Sequence, residues 1–184
     1  MHSAIPNLLT IFRFFLVYPI VLCIFESQFI WAIALYILAA MTDFLDGFIA
    51  RKYNLISNFG RIADPIADKT LIIGALLSLS LIGEINLTMT YIILGRDIFV
   101  ISGFILSTLL LDSFKVEPHF SGKANAFFLM LYLGLILINA VGLIVPIELI
   151  NIVAIFLIIT IIWSIFAYFN NPGRKVLKEI FSIE

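Results

Sequence analysis

"MTDFLDGFIARKYNLISNFGRIADPIADK", Met41 to Lys69, gathers Asp43, Asp46, Asp64 and Asp68 with Arg51, Arg61 and Lys69 inside a chain that otherwise reads as apolar. At about 100° per residue on a helix, Asp43, Asp46, Gly47, Ala50 and Arg51 fall within an arc of roughly 140° and form one polar stripe. Gly60, Asp64 and Asp68 follow at steps of four, within roughly 80° of one another on the next helix. The two stripes can face each other across an antiparallel helix pair joined by "KYNLISNF". Four carboxylates gathered near a membrane need a cation between them, because each charge at bilayer depth costs at least ~2.5 kcal/mol and mutual repulsion adds to that. An all-oxygen set without His or Cys suits Mg²⁺, Mn²⁺ or Ca²⁺ and argues against zinc. Two Asp from each helix suffice for one or two such ions. Gly47, Ala50 and Gly60 either leave room for a bulky ligand to approach the backbone or serve close helix packing. Arg51 is in phase with the carboxylates, and a metal plus a guanidinium is how phosphates are held. Lys52 reads as an interfacial anchor.

The setting is a membrane. The chain has 184 residues, 62% hydrophobic and 12% charged, with a mean hydropathy of +1.15, far above a soluble domain. Apolar runs recur to the end, and no small-residue cleavage site follows the first, so that run is expected to belong to the mature fold. The one cysteine, Cys23, lies in an apolar run and excludes an intrachain disulfide. A net charge of -1 gives no case for nucleic acid. A bilayer core about 30 Å thick needs roughly 20 apolar residues as a helix. Six segments meet this, about 8 to 25, 29 to 50, 61 to 82, 88 to 111, 123 to 145 and 147 to 169. An all-α polytopic protein with one catalytic domain over residues 1–184 follows as the expectation. Breaks fall at "ESQ", "KYNLISNF", "GEINLT", "DSFKVEPHFSG" and "VPIE", and "NNPGRK" stops the last helix. Arg51, Lys52, Lys115, Lys123, Arg174, Lys175 and Lys178 all lie on one side of such a bundle, whereas the opposite connections hold Glu26, Glu84 and Glu148. The positive-inside rule then places both termini and the Asp-rich end in the cytoplasm.

Written as Asp43-x2-Asp46-Gly47-x2-Ala50-Arg51-x8-Gly60-x3-Asp64-x3-Asp68, the stretch resembles, without a mismatch, the signature of the CDP-alcohol phosphotransferases (CDP-alcohol phosphatidyltransferases). Eight fixed positions over 26 residues make the likeness specific, and "IPNLLTIFRF" is similar to the family's usual N-terminal opening. The resemblance implies six helices, a homodimer, and a cytoplasm-facing cavity with two metal ions, Mg²⁺ or Mn²⁺, in a bacterial plasma (inner) membrane. It implies that a CDP-diacylglycerol-type lipid gives its phosphatidyl group to an alcohol, with CMP leaving. Carried over by position, Asp43, Asp46 and Asp64 look like metal ligands, Asp68 completes the cluster and serves as the base, and Gly47, Ala50 and Arg51, with Gly60, look like the nucleotide-diphosphate cradle.

Outside the signature, Arg96 and Asp97 in "LGRDIF", Lys123 and Asn125 in "SGKANAF", and Arg174 and Lys175 in "GRK" are the candidates for choosing the acceptor. Arg96 lies inside an apolar run, which marks either a functional group or an ion pair with Asp97. Lys123 reads equally as an anchor or as a phosphate contact. Several basic groups suit an alcohol that carries phosphate: glycerol 3-phosphate, giving phosphatidylglycerophosphate, or phosphatidylglycerol, giving cardiolipin. "GRD" and "SGKANAF" depart from the patterns of the phosphatidylglycerophosphate branch and look closer to the cardiolipin branch, to one of whose patterns "PHFSGKAN" is similar, while inositol phosphate, serine and an archaeal-type donor stay open. His2 and His119 read as ordinary interfacial residues, and Trp31 and Trp163 as bilayer-facing or packing residues. Rival readings are a divalent-cation transporter, a polyprenyl transferase and a lipid-binding scaffold; carboxylates near one membrane face rather than its middle argue against the first.

Overall fold

The structure of the protein, a computed structural model, describes residues 4–53, 58–110 and 120–170. Helices account for nearly all of them: α1 (Ala4–Phe25), α2 (Phe29–Tyr53), α3 (Asn58–Leu81), α4 (Leu87–Leu110), α5 (Phe120–Ala140) and α6 (Ile147–Tyr168). The fold is all-α, as expected. The helix ends differ from the expected segments by up to five residues, most at the fifth: apolarity extends that segment to 145, but α5 ends at Ala140. Gly142 takes φ 88°, and its N–H donates to the Asn139 carbonyl at 2.9 Å. A left-handed glycine closes the helix, and Pro146 then caps α6. Hydropathy alone does not register such a stop.

Ser121–Ala140 and Ile147–Tyr168 are each long and apolar enough to cross a membrane, with shorter apolar helical stretches at Thr10–Phe25 and Phe29–Asp43. Large hydrophobic side chains cover the outside. Phe15 and Tyr18 are each 71% exposed, and Trp31, Ile98, Trp163 and Phe166 also face outward. Apolar surface on this scale calls for a lipid surround or a partner.

The chain forms two compact units. The first comprises Met1–Asn86 with Leu133–Val145, and so holds α1, α2, α3 and the end of α5. Its buried positions recur every three or four residues: Thr10, Arg13, Leu16, Ile20 and Ile24 on α1, Ala32, Tyr36, Ala39 and Thr42 on α2, and Ala67, Leu71, Ala75 and Leu79 on α3. That period presents one face of each helix to the interior. Gly74 sets the closeness of α1 to α3: a Cβ there would stand 3.0 Å from Val17 Cγ1 and 3.3 Å from Val21 Cγ2. A methyl group there would press on both valines, so α1 lies close against the helix that carries Asp64 and Asp68. The second unit comprises Leu87–Tyr132 with Pro146–Glu184. Ile93, Ile150, Val153, Leu157 and Ile161 are buried in it, and Phe128 of α5 stacks on Phe156 of α6 at 5.5 Å.

Candidate active site

Three helices of the first unit meet at one buried guanidinium. Arg13 of α1 is 0% exposed, and its Nη1 lies 3.0 Å from Asp43 Oδ1 of α2. The same nitrogen donates to Asp68 Oδ1 of α3. Thr10, one turn earlier on α1, donates through Oγ1 to Asp64 Oδ1, one turn earlier on α3. The i, i+3 spacing of Thr10 and Arg13 and the i, i+4 spacing of Asp64 and Asp68 put each pair on a single helix face. The close α1–α3 contact at Gly74 brings those faces together.

Burying an arginine inside apolar helices requires a counter-charge. Asp43 and Asp68 supply it while keeping their other sides open: their side chains are 42% and 41% exposed. The cluster is therefore closed on the cation's side and open on the carboxylates' side. Beside Asp64, an apolar pocket of about 260 Å³ is lined by Thr10, Ile11, Phe14, Ala63, Ile66 and Ala67. Pro65 lies between Asp64 and Ile66 within α3 and has no N–H to donate to the carbonyl of residue 61.

The structure brings Asp43 and Asp68, from different helices, to the one Nη1 of Arg13 on α1, and sets Asp64 one turn from Asp68. Asp46, Gly47, Ala50 and Arg51 lie on α2 and Gly60 on α3, but their side-chain surroundings lie outside what is described. Arg174, His2, His119, Lys115, Lys175 and Lys178 fall outside the described residues. In the second unit Arg96 Nη1 donates to Asp97 Oδ1 at 2.7 Å, and Nη2 donates to Ser164 Oγ at 2.5 Å, which is the ion-pair reading of that residue. Lys123 is exposed on α5, while Ser121 and Asn125 take the inward positions. Sequence reasoning passed over Thr10 and Arg13. The signal was present for Arg13, since an arginine inside an apolar run is the criterion that singled out Arg96.

A sequence model of the CDP-alcohol phosphatidyltransferases matches residues 3–166, from the start of α1 to near the end of α6. The chain belongs to the CDP-alcohol phosphatidyltransferase family. It is thus an enzyme, a phosphatidyltransferase. Among its relatives, the CDP-diacylglycerol–glycerol-3-phosphate 3-phosphatidyltransferase of Aquifex aeolicus is 37% identical over 131 residues, covering 70% of this chain and 72% of that protein. The enzyme of the same name from Rickettsia felis is 34% identical over 141 residues, 75% of this chain and 77% of its own. A probable phosphatidylglycerophosphate synthase of Mycobacterium tuberculosis is 31% identical over 144 residues, 75% of this chain and 68% of that protein.

CDP-alcohol phosphatidyltransferases generally depend on divalent metal. Among the described residues no group of three or more His, Cys, Asp or Glu side chains is placed to hold a metal ion. The donor chemistry nevertheless fits a hard cation: Asp43 and Asp68 turn oxygens toward one positively charged nitrogen. The Arg13 nitrogen stands where a cation between these carboxylates belongs, so the residues present fit the group in charge and in ligand type.

Proposed function

We propose that the protein transfers a phosphatidyl group from CDP-diacylglycerol to glycerol 3-phosphate, giving phosphatidylglycerophosphate and CMP. The observation that carries this reading is the meeting of Asp43 and Asp68, from separate helices, at one buried cation position. The names of the relatives support glycerol 3-phosphate over phosphatidylglycerol, inositol phosphate or serine as acceptor.

In the reaction the acceptor hydroxyl oxygen bonds to the phosphorus that carries the diacylglycerol, the bond from that phosphorus to the CMP oxygen breaks, and the hydroxyl proton passes to a base. Asp68 is that base. Its carboxylate is half open to an incoming hydroxyl. Asp43, Asp46, Asp64 and Asp68 are the groups that would hold two Mg²⁺ or Mn²⁺ ions. When bound, such ions neutralise the diphosphate oxygens and stabilise the departing CMP phosphate. Gly47, Ala50 and Gly60 admit the nucleotide diphosphate close to the backbone, and Arg51 offers its planar fork to the phosphate oxygens. Lys123 and Arg174 contact the phosphate of the acceptor, while Arg96 stays with Asp97 and Ser164. The pocket beside Asp64, below the ~300 Å³ of a typical ligand cavity, takes a segment of the donor's hydrocarbon rather than the whole lipid. The whole chain works as one catalytic domain of six membrane spans, as a homodimer, in a bacterial plasma membrane. The one-sided distribution of Lys and Arg supports a cytoplasmic site and cytoplasmic termini.

The test offers purified protein CDP-diacylglycerol and Mg²⁺ with glycerol 3-phosphate, phosphatidylglycerol, inositol phosphate or serine, one at a time, and identifies the lipid product by mass. Phosphatidylglycerophosphate with release of CMP is expected from the first alone, and none in excess EDTA. Cardiolipin from the second would move the assignment to phosphatidylglycerol. Ion flux into vesicles without CMP release would replace it with the transporter reading.

A further inference from the structure

Arg13 lies outside the eight-position signature, yet it occupies the centre of the carboxylate cluster. Four features bear on its role. Its side chain is fully buried while both partner carboxylates are part exposed. One nitrogen reaches two helices. Thr10 ties the neighbouring carboxylate, Asp64, to the same face of α1. The bare backbone of Gly74 lets Val17 and Val21 pack α1 closely against α3. A guanidinium so placed presents positive charge to the oxygens that an incoming divalent ion would take.

We propose that Arg13 is a built-in counter-cation that holds Asp43 and Asp68 together before metal arrives and competes with the metal for them, so that it sets the concentration at which the site loads. This inference rests on the metal reading given under Proposed function. Two cations sharing one pair of carboxylates repel each other within a few ångströms, where screening is weak. Without a cation the carboxylates repel each other instead. Arg13 therefore stabilises the metal-free protein and weakens metal binding, two faces of one linkage.

The experiment measures Mn²⁺ affinity by electron paramagnetic resonance and thermal stability with and without Mn²⁺, in wild type, Arg13→Gln, Arg13→Lys and Asp64→Asn, all as full chains in detergent. Arg13→Gln is expected to bind Mn²⁺ about tenfold more tightly, the size of one unit charge removed from a partly screened site. It should melt lower than wild type without metal and regain most of that difference when Mn²⁺ is saturating. Arg13→Lys, which keeps the charge, should shift the affinity by less than about threefold, which separates charge from mere packing. Equal or weaker Mn²⁺ binding by Arg13→Gln overturns the proposal. Should Arg13→Gln not fold, the guanidinium ¹⁵N resonances of Arg13 in wild type carry the test: they move on saturation with Mg²⁺ if the contact is released, and an unchanged signal overturns the proposal. The two readings fail separately. Absence of Mn²⁺ binding in wild type, or binding untouched by Asp64→Asn, removes the metal reading itself. Binding that Asp64→Asn weakens and Arg13→Gln leaves alone removes only the competition.

Discussion

Arg13 and Arg96 both lie buried in apolar helices, one in each compact unit, and they are held in different ways. Arg96 takes its counter-charge from the next residue, Asp97, whose side chain is 11% exposed, and also donates to Ser164 of α6. Arg13 draws carboxylates from two other helices, and both remain more than 40% exposed. The Arg96 cluster is a sealed pair with one spare donor. At Arg13 the cation is buried and the anions are accessible. An accessible anion can change partner or take a proton, which a sealed one cannot do without exposing its arginine to an uncompensated interior. Reactivity is therefore expected in the first unit, and a larger structural cost for charge removal in the second.

The largest effect that would break this contrast concerns Asp68. Asp68→Asn keeps an oxygen for Arg13 but removes the proton acceptor, so CMP release should fall by about 10²–10⁴-fold while the protein still folds and retains CDP-lipid. Turnover near wild type would take Asp68 out of the base role. Next in size is the stability difference between the two clusters. Asp97→Ala strands Arg96 and is expected to cost about 3 kcal/mol. In metal-free protein Asp43→Ala should cost no more than about 1 kcal/mol, because the lost partner was half solvated and Asp68 stays in place. Denaturation of both variants in the same detergent checks the order, and a larger loss for Asp43→Ala would reverse the assignment of open and sealed clusters.

The contrast also shows how much was legible in the sequence. The acidic stripes were readable because helical spacing is rigid: Asp64 and Asp68 at i, i+4 must share a face, as Asp43 and Asp46 must on α2. Six helices were readable from apolar length. The partner of the stripe was not. Which residue of α1 reaches Asp68 depends on how deeply α1 sits against α3, a packing distance fixed by Gly74 and two valines that carry no charge signal. The end of α5 escaped for a related reason, since Val141 to Val145 are as apolar as the helix before them and only the backbone of Gly142 turns the chain. Arg96 fell between: its charge inside an apolar run marked it, but spacing alone did not choose between a ligand contact and Asp97.

That packing distance gives the next effect. Gly74→Ala puts a methyl within 3.0 Å of Val17 Cγ1, and overpacking of this kind costs about 1–3 kcal/mol. The strain falls between α1 and α3, so the Arg13 and Thr10 contacts should loosen and CMP release should drop with stability. A Cβ on Gly95, next to Arg96, would meet nothing within 4 Å among the described residues. There the same substitution is expected to be neutral or to stabilise by up to about 1 kcal/mol through helix propensity. Equal losses at both glycines would mean that the α1–α3 seat is not what positions the carboxylates.

The smallest effect separates stability from the site within the first unit. α1 and α3 end in the same way: Gln28 N–H donates to the Cys23 carbonyl at 2.7 Å, and Glu84 N–H donates to the Leu79 carbonyl at 3.0 Å. Each closure needs a left-handed residue at its turn, and α3 supplies Gly83 at φ 89° where α1 supplies Ser27 at φ 57°. A serine held there carries strain that a glycine does not, of roughly 1 kcal/mol, partly offset by the greater freedom of glycine in the unfolded chain. Ser27→Gly should therefore raise stability by about 0.5 kcal/mol, read as a rise in the thermal midpoint. Ser27 lies at the opposite end of α1 from Thr10 and Arg13, so CMP release per folded molecule should not change. A gain in stability with altered turnover would show that the far end of α1 reports on the carboxylates, and would tie the frame of the first unit to its chemistry more closely than local packing predicts.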